Sequence, residues 1–131
     1  MGLTVTKDLY CDLYTYLMGG YSIMMLAMPG KMVTDNFNAP ATPMTEFWIR
    51  GSSVAGIGMC YFIKTGSSQD MFDVALLMTI AIATLYPFNA KFGYLTNGKL
   101  PTKYTGFPNH YFAEVSMSAL IGLGLYIKLF A

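Results

Sequence analysis

Four apolar runs alternate along the chain with short segments rich in glycine, proline and polar residues; they cover about 9–28, 44–63, 71–88 and 111–127. A helix that crosses a bilayer needs about twenty largely apolar residues, so each run has the length of a short span. Strands are excluded as the spanning element, because backbone in lipid must be satisfied internally and four strands cannot close a barrel. The pattern therefore predicts an all-α fold, with residues 1–131 forming one integral membrane bundle of four short transmembrane helices.

The breakers support this division. Pro29 and Gly30 are expected to stop the first helix, and 36–43 (NFNAPATP) reads as a loop. Thr45, just ahead of Glu46, is a candidate cap for the second helix, with the acidic residue in its first turn. Thr65-Gly66-Ser67-Ser68 reads as a tight polar turn, after which Asp70 is a candidate cap for the third helix. The longest connection, 89–109, holds Gly93, Gly98, Pro101, Gly106 and Pro108, and is aromatic at Phe92, Tyr94, Tyr104 and Phe107. It is expected to lie along the membrane surface with its rings at headgroup depth. No internal repeat is visible.

Composition changes the picture in one respect, the choice of solvent. Hydrophobic residues are 54% of the 131, and charged residues only 11%, against about 25% in an ordinary soluble domain. A small soluble chain has much surface for its volume and needs charge to cover it. Lipid is the solvent this composition implies; burial inside a soluble assembly is the competing reading. The net charge of +1 leaves no electrostatic footprint for nucleic acid.

The first twelve residues carry Lys7, Asp8 and Asp12 and no apolar core, so they do not read as a cleavable signal. Either the first helix directs insertion or a transit peptide lies outside this sequence. Gly2 with Thr6 meets the short N-myristoylation pattern, which chance also meets, and no glycosylation sequon is present. Lys31, Arg50, Lys91, Lys99 and Lys103 outnumber Lys7, Lys64 and Lys128, which favours the first and third connections on the cytoplasmic-equivalent side.

Candidate chemistry is confined to a few polar positions. Glu46 and Arg50 are four apart on one helix face, in the favourable order for an intrahelical pair. Behind them, Gly51 with Ala55 and Ser52 with Gly56 have the small-xxx-small spacing that lets helix backbones approach; Ser118 with Gly122 repeats it in the fourth helix. Trp48 suits an interface, with its ring in hydrocarbon and its N–H toward water. Four spans place Glu46, Arg50, Asn89, Lys91, His110 and Glu114 in one leaflet. A carboxylate in lipid needs a partner or a proton, so pairing of Glu114 with Arg50 across the bundle is expected. That cluster would serve either as a brace or as a polar pocket for a lipid, quinone or pigment.

His110 and Glu114 are four apart, but one histidine without a second nearby carboxylate does not make a metal site. The eleven methionines read as packing rather than copper ligands. Cys11 and Cys60 both fall on the side bearing the termini and are expected as free thiols, with a disulfide open only in an oxidising compartment. No catalytic triad, phosphate loop or repeated Cys pair is present, so no enzyme activity or metal is expected, and the sequence requires no cofactor while leaving a bound lipid or pigment open.

From Met44 to Gly58, a proline-rich loop, the aromatic pair Phe47-Trp48, Arg50-Gly51 and the small residues that follow resemble the second span of DoxX-like small four-helix membrane proteins. Ergosterol-biosynthesis scaffold proteins share the layout. The resemblance implies a compact four-helix bundle with a helper role in a larger assembly. Together these readings predict a non-enzymatic accessory or scaffold subunit whose partners are other membrane subunits and lipids. An organellar energy-transducing complex, photosynthetic (thylakoid) or respiratory (mitochondrial inner membrane), is the expected host.

Overall fold

A computed structural model describes residues 5–95, 101 and 110–130, and every regular element among them is helical. The order is α1 (Lys7–Ala27), α2 (Pro29–Asn36), α3 (Pro43–Thr65), α4 (Ser68–Leu85), α5 (Phe88–Phe92) and α6 (His110–Phe130). The four long helices alternate in direction. At what we term the near end, Asp12 of α1 pairs with Lys64 of α3, and Asp73 of α4 with Lys128 of α6 at 2.7 Å. At the far end, the close of α1 meets the opening of α3, and α5 meets the opening of α6.

Local chemistry explains where the helices begin. The Thr6 side chain caps α1 by accepting from the Leu9 N–H at 3.1 Å, and Asp8 follows in the first turn, where a negative charge suits the helix dipole. The cap of α3 is Thr42 rather than Thr45. Pro43 takes the first helical position, Thr42 accepts from the Thr45 N–H, and the Thr45 hydroxyl accepts from the Thr42 N–H. The reciprocal bond of a capping box accounts for that shift of three residues. Likewise α4 opens at Ser67, with Asp70 inside its first turn instead of at its cap.

Two helices were not expected. Met28 breaks α1 with a non-helical backbone, at φ −135° and ψ 57°, but Pro29 then opens α2, because proline's missing N–H costs nothing at a first helical position. Pro29 and Gly30 therefore turn the chain rather than merely stop it. The helix of the third apolar run ends at Leu85, three residues short of the run, and the residues after Pro87 form the single turn α5, closed by Gly93 in the left-handed region at φ 69°. The expected surface course of the aromatic connection falls mostly on 96–100 and 102–109, outside the described residues.

Helix α1 lies at the centre, packed on α3, α4 and α6, and its contact with α3 is the most extensive in the chain. The core is built from Tyr10, Tyr14 and Met18 of α1, Cys60 and Ile63 of α3, Phe72, Ala75 and Leu76 of α4, and Met117, Leu120 and Ile127 of α6. Tyr10 meets Phe72 edge-on at 5.2 Å, and its buried hydroxyl shares a 2.9 Å hydrogen bond with Thr79, which donates in turn to the Ala75 carbonyl. The hydroxyls of Tyr10 and Thr79 are thus bonded where they would otherwise be costly.

Among the described residues, two helices are long and apolar enough to cross a membrane, Ser68–Phe92 (α4 continuing through α5) and Tyr111–Phe130 of α6. Four were expected. Helix α1 is diluted by tyrosine, glycine, serine and threonine, and α3 by glycine, serine and Arg50, although both exceed twenty residues.

Candidate functional site

At the far end, α3 presents Glu46 and Arg50 one turn apart beside the corner where α1 ends and α2 begins. No ion pair joins them among the described residues. The Arg50 Nε donates to the Leu26 carbonyl of α1 at 3.3 Å. Leu26 is among the last four residues of α1, whose carbonyls lack an intrahelical partner, and no basic residue of α1 occupies that turn. Arg50 supplies from α3 the cation that this negative helix end favours. The Glu46 carboxylate turns the other way, onto Gly30 in the first turn of α2, so close that a Cβ at Gly30 would collide with it. There the helix end is positive. The expected Glu46–Arg50 pair is replaced by a division of labour, because two helix termini of opposite sign lie within reach of α3.

The expected bond between Arg50 and Glu114 is also absent. Glu114, with a side chain 12% exposed, faces Lys91 of α5 at 3.6 Å, and Lys91 lies over the Tyr111 ring at 5.4 Å. Asn89 is buried next to this group and accepts from the Leu95 N–H at 2.9 Å, fastening the chain after α5. His110 opens α6, and its side chain lies outside the described positions. The far end therefore holds two separate groups, Glu46/Arg50 at the α1–α2 corner and Asn89/Lys91/Glu114 at the α5–α6 corner. Arg50 and Glu114 bond to different partners and not to each other.

The glycines divide in the same way. Gly56 packs against Ser22 of α1 so closely that an added Cβ would overlap its hydroxyl. By contrast, Gly51 and Gly122 have nothing within 4 Å of an added Cβ, and Ser52 and Ser118 are exposed. The close approach on α6 occurs at Gly124, against Leu76 and Tyr10. The informative signal was the stripe Ala113, Met117, Leu120, Gly124 and Ile127, buried throughout and alternating in steps of four and three. Spacing of small residues alone does not say which face turns inward.

No family model, no curated protein and no solved structure matches this chain. Among the described residues no three His, Cys, Asp or Glu side chains gather as a metal site. Cys11 and Cys60 are buried free thiols in the core. Near the other end, an open depression between the starts of α1 and α4 is lined by Thr6, Lys7, Asp8, Ser67 and Gln69. At the same end, the hydrogen bond that the Lys64 ammonium donates to Asp12 holds it above its usual range.

Proposed function

We propose that this chain is a four-span membrane protein that serves as a small accessory or scaffold subunit of a larger membrane complex, without catalytic activity of its own. One observation carries the membrane part of this reading. Among the described residues the charges lie toward the two ends of the bundle, and between them the outward faces of the four long helices are largely apolar. Tyr16, Ile23 and Met24 of α1, Val54, Tyr61 and Phe62 of α3, Leu77 and Leu85 of α4, and Val115, Leu125 and Tyr126 of α6 are all exposed. In the two most apolar helices only 33% of the apolar window is buried, whereas the core helix of a soluble protein is mostly covered. Contiguous apolar surface on this scale belongs in lipid or against another protein.

The lower hydropathy of α1 is compatible with spanning, because part of what lowers it faces inward: Tyr10, Tyr14 and Ser22 are buried. The scaffold part rests on the small mass outside the four helices and on the outward glycines Gly51 and Gly122, which would let a neighbouring helix approach. It agrees with what the resemblance to DoxX-like bundles implies. An energy-transducing organelle complex is the host we propose to examine first. The alternative reading, a site for a lipid, quinone or pigment around Arg50 and Glu114, has no bond between those two residues to support it.

Labelling with a membrane-impermeant maleimide tests the span count. Four spans put Lys31→Cys and Gln69→Cys on opposite sides of the membrane, whereas spanning by α4 and α6 alone puts them on the same side. Native electrophoresis of mildly solubilised membranes tests the scaffold role. Migration with a large complex is expected, and a free monomer would overturn it.

A further inference from the structure

On the outer side of α3, Phe47, Arg50, Val54, Ile57 and Tyr61 recur in steps of three and four, so they form one stripe down the helix, and all five are exposed. Four of the five are apolar, with Phe47 69%, Val54 61% and Tyr61 72% exposed. The fifth is a cation. Its Nε is committed to the Leu26 carbonyl, while no carboxylate among the described residues pairs with its guanidinium. The other described cations of the far end differ, since Lys31 pairs with Asp35 at 2.7 Å and Lys91 with Glu114. Glu46, the nearest acid in sequence, is turned onto Gly30.

Depth adds a second observation. Residues 51–63 of α3 and 115–127 of α6 are the charge-free lengths of their helices. At the helical rise each is about 20 Å long, against a hydrocarbon core of about 30 Å. A bilayer around this bundle must thin, or the charges at its edge must draw polar groups inward. Arg50 lies at that edge, above an apolar lane, with its outer N–H groups still to be satisfied.

We infer that Arg50 binds the phosphate of an anionic phospholipid, whose acyl chain lies along Val54, Ile57 and Tyr61. This inference rests on the membrane reading proposed above. A guanidinium matches a phosphate in charge and in its paired N–H donors. An anionic headgroup is favoured over a zwitterionic one because the guanidinium has no carboxylate to neutralise it. The connection between α5 and α6 also carries Lys99 and Lys103 with no acidic residue before Glu114.

The test uses the fact that the chain has one tryptophan. Tyr61→Trp in a Trp48→Phe background moves that fluorophore onto the lane. The full chain is reconstituted in phosphatidylcholine vesicles holding a minor fraction of either brominated phosphatidylglycerol or brominated phosphatidylcholine with matching chains. Quenching should report an enrichment of the glycerol lipid by about two- to fivefold, the range of an exposed ion pair, reduced at high salt. Arg50→Gln, whose amide still reaches the Leu26 carbonyl, should abolish the preference at unchanged melting temperature. Should that variant fail to fold, Arg50→Lys should retain a reduced preference. Inorganic phosphate added to the vesicles should leave the preference intact, and its loss would mean the site takes free phosphate rather than lipid. Equal quenching by both lipids would overturn the inference while leaving the membrane reading in place. Quenching by neither would overturn both.

Discussion

In the α1–α3 pair the helices meet through small and polar groups: Gly56 against Ser22, Gly19 against Cys60, and Ser53 fully buried with its hydroxyl donating to the Arg50 carbonyl at 2.6 Å. The α4–α6 side fills its share of the core with bulk instead, from Phe72, Leu76, Met117, Leu120 and Ile127. The more apolar pair is also the more enclosed: α4 buries Phe72, Ala75, Leu76, Thr79 and Ala83, whereas the longer α3 buries only Ser53, Cys60 and Ile63. Even so, only 33% of the apolar windows of α4 and α6 is buried, so a helix carries more apolarity than its place in the interior uses. The surroundings of the bundle set what the outward face must be, whereas the inward face needs only close contact and satisfied hydrogen bonds.

If the α4–α6 side depends on side-chain volume, Phe72→Ala should give the largest loss. Phe72 is fully buried against Tyr10, and truncating such a ring costs about 3–5 kcal/mol. Thermal unfolding in detergent measures it, and a loss similar to that of an exposed apolar position such as Leu77→Ala would contradict the proposed core.

If the α1–α3 side depends on backbone approach, Gly56→Leu should come next, at about 1–3 kcal/mol, because the new side chain must displace Ser22. Gly122→Leu should stay within about 0.5 kcal/mol, since its site is open. Equal effects of the two substitutions on the melting temperature of the isolated protein would erase the distinction between inward and outward glycines. Incorporation of the Gly122 variant into a native complex is a separate readout, and a selective defect there would mark that face as a contact with another subunit.

The two sides are joined by the hydrogen bond from Tyr10 of α1 to Thr79 of α4. Tyr10→Phe removes it without stranding Thr79, which keeps its 2.7 Å bond to the Ala75 carbonyl. The expected cost is about 1 kcal/mol, the net worth of one intramolecular hydrogen bond. A much larger loss in the same unfolding assay would mean the ring itself had shifted. Smallest of all is Lys64→Met, which removes the Asp12 partner at the water-facing end of α3. An exposed ion pair adds little, so the melting temperature should hardly move and should be insensitive to added salt.

Much of the helix layout was legible along the chain. Each of the four long helices overlaps the apolar run that predicted it, because run length and the breakers at Pro29, Pro43 and Gly66 are local features. Caps were less so. Thr42 and Thr45 both carry a hydroxyl, and only the reciprocal bond between them shows which one starts α3. Helix α2 was hidden because Pro29-Gly30 serves equally as a stop or as a helix start.

Partner choice was not legible at all. Spacing put Arg50 beside Glu46, and the four-span topology put it near Glu114, yet its bond goes to the Leu26 carbonyl. The reason is that helix ends carry partial charges that no side-chain inventory records, and which end lies within reach depends on how α1, α2 and α3 converge. The same holds for the glycines: Gly56, Gly122 and Gly124 are alike in the chain, and only packing makes Gly56 and Gly124 points of contact while Gly122 faces out. The sequence by itself determined the helical class, the long helices and the distribution of charge toward their ends, since these follow from short-range periodicity and composition. The tertiary structure decided which faces meet and which polar group satisfies which, because both depend on the rotation of each helix about its own axis, a quantity set by its neighbours.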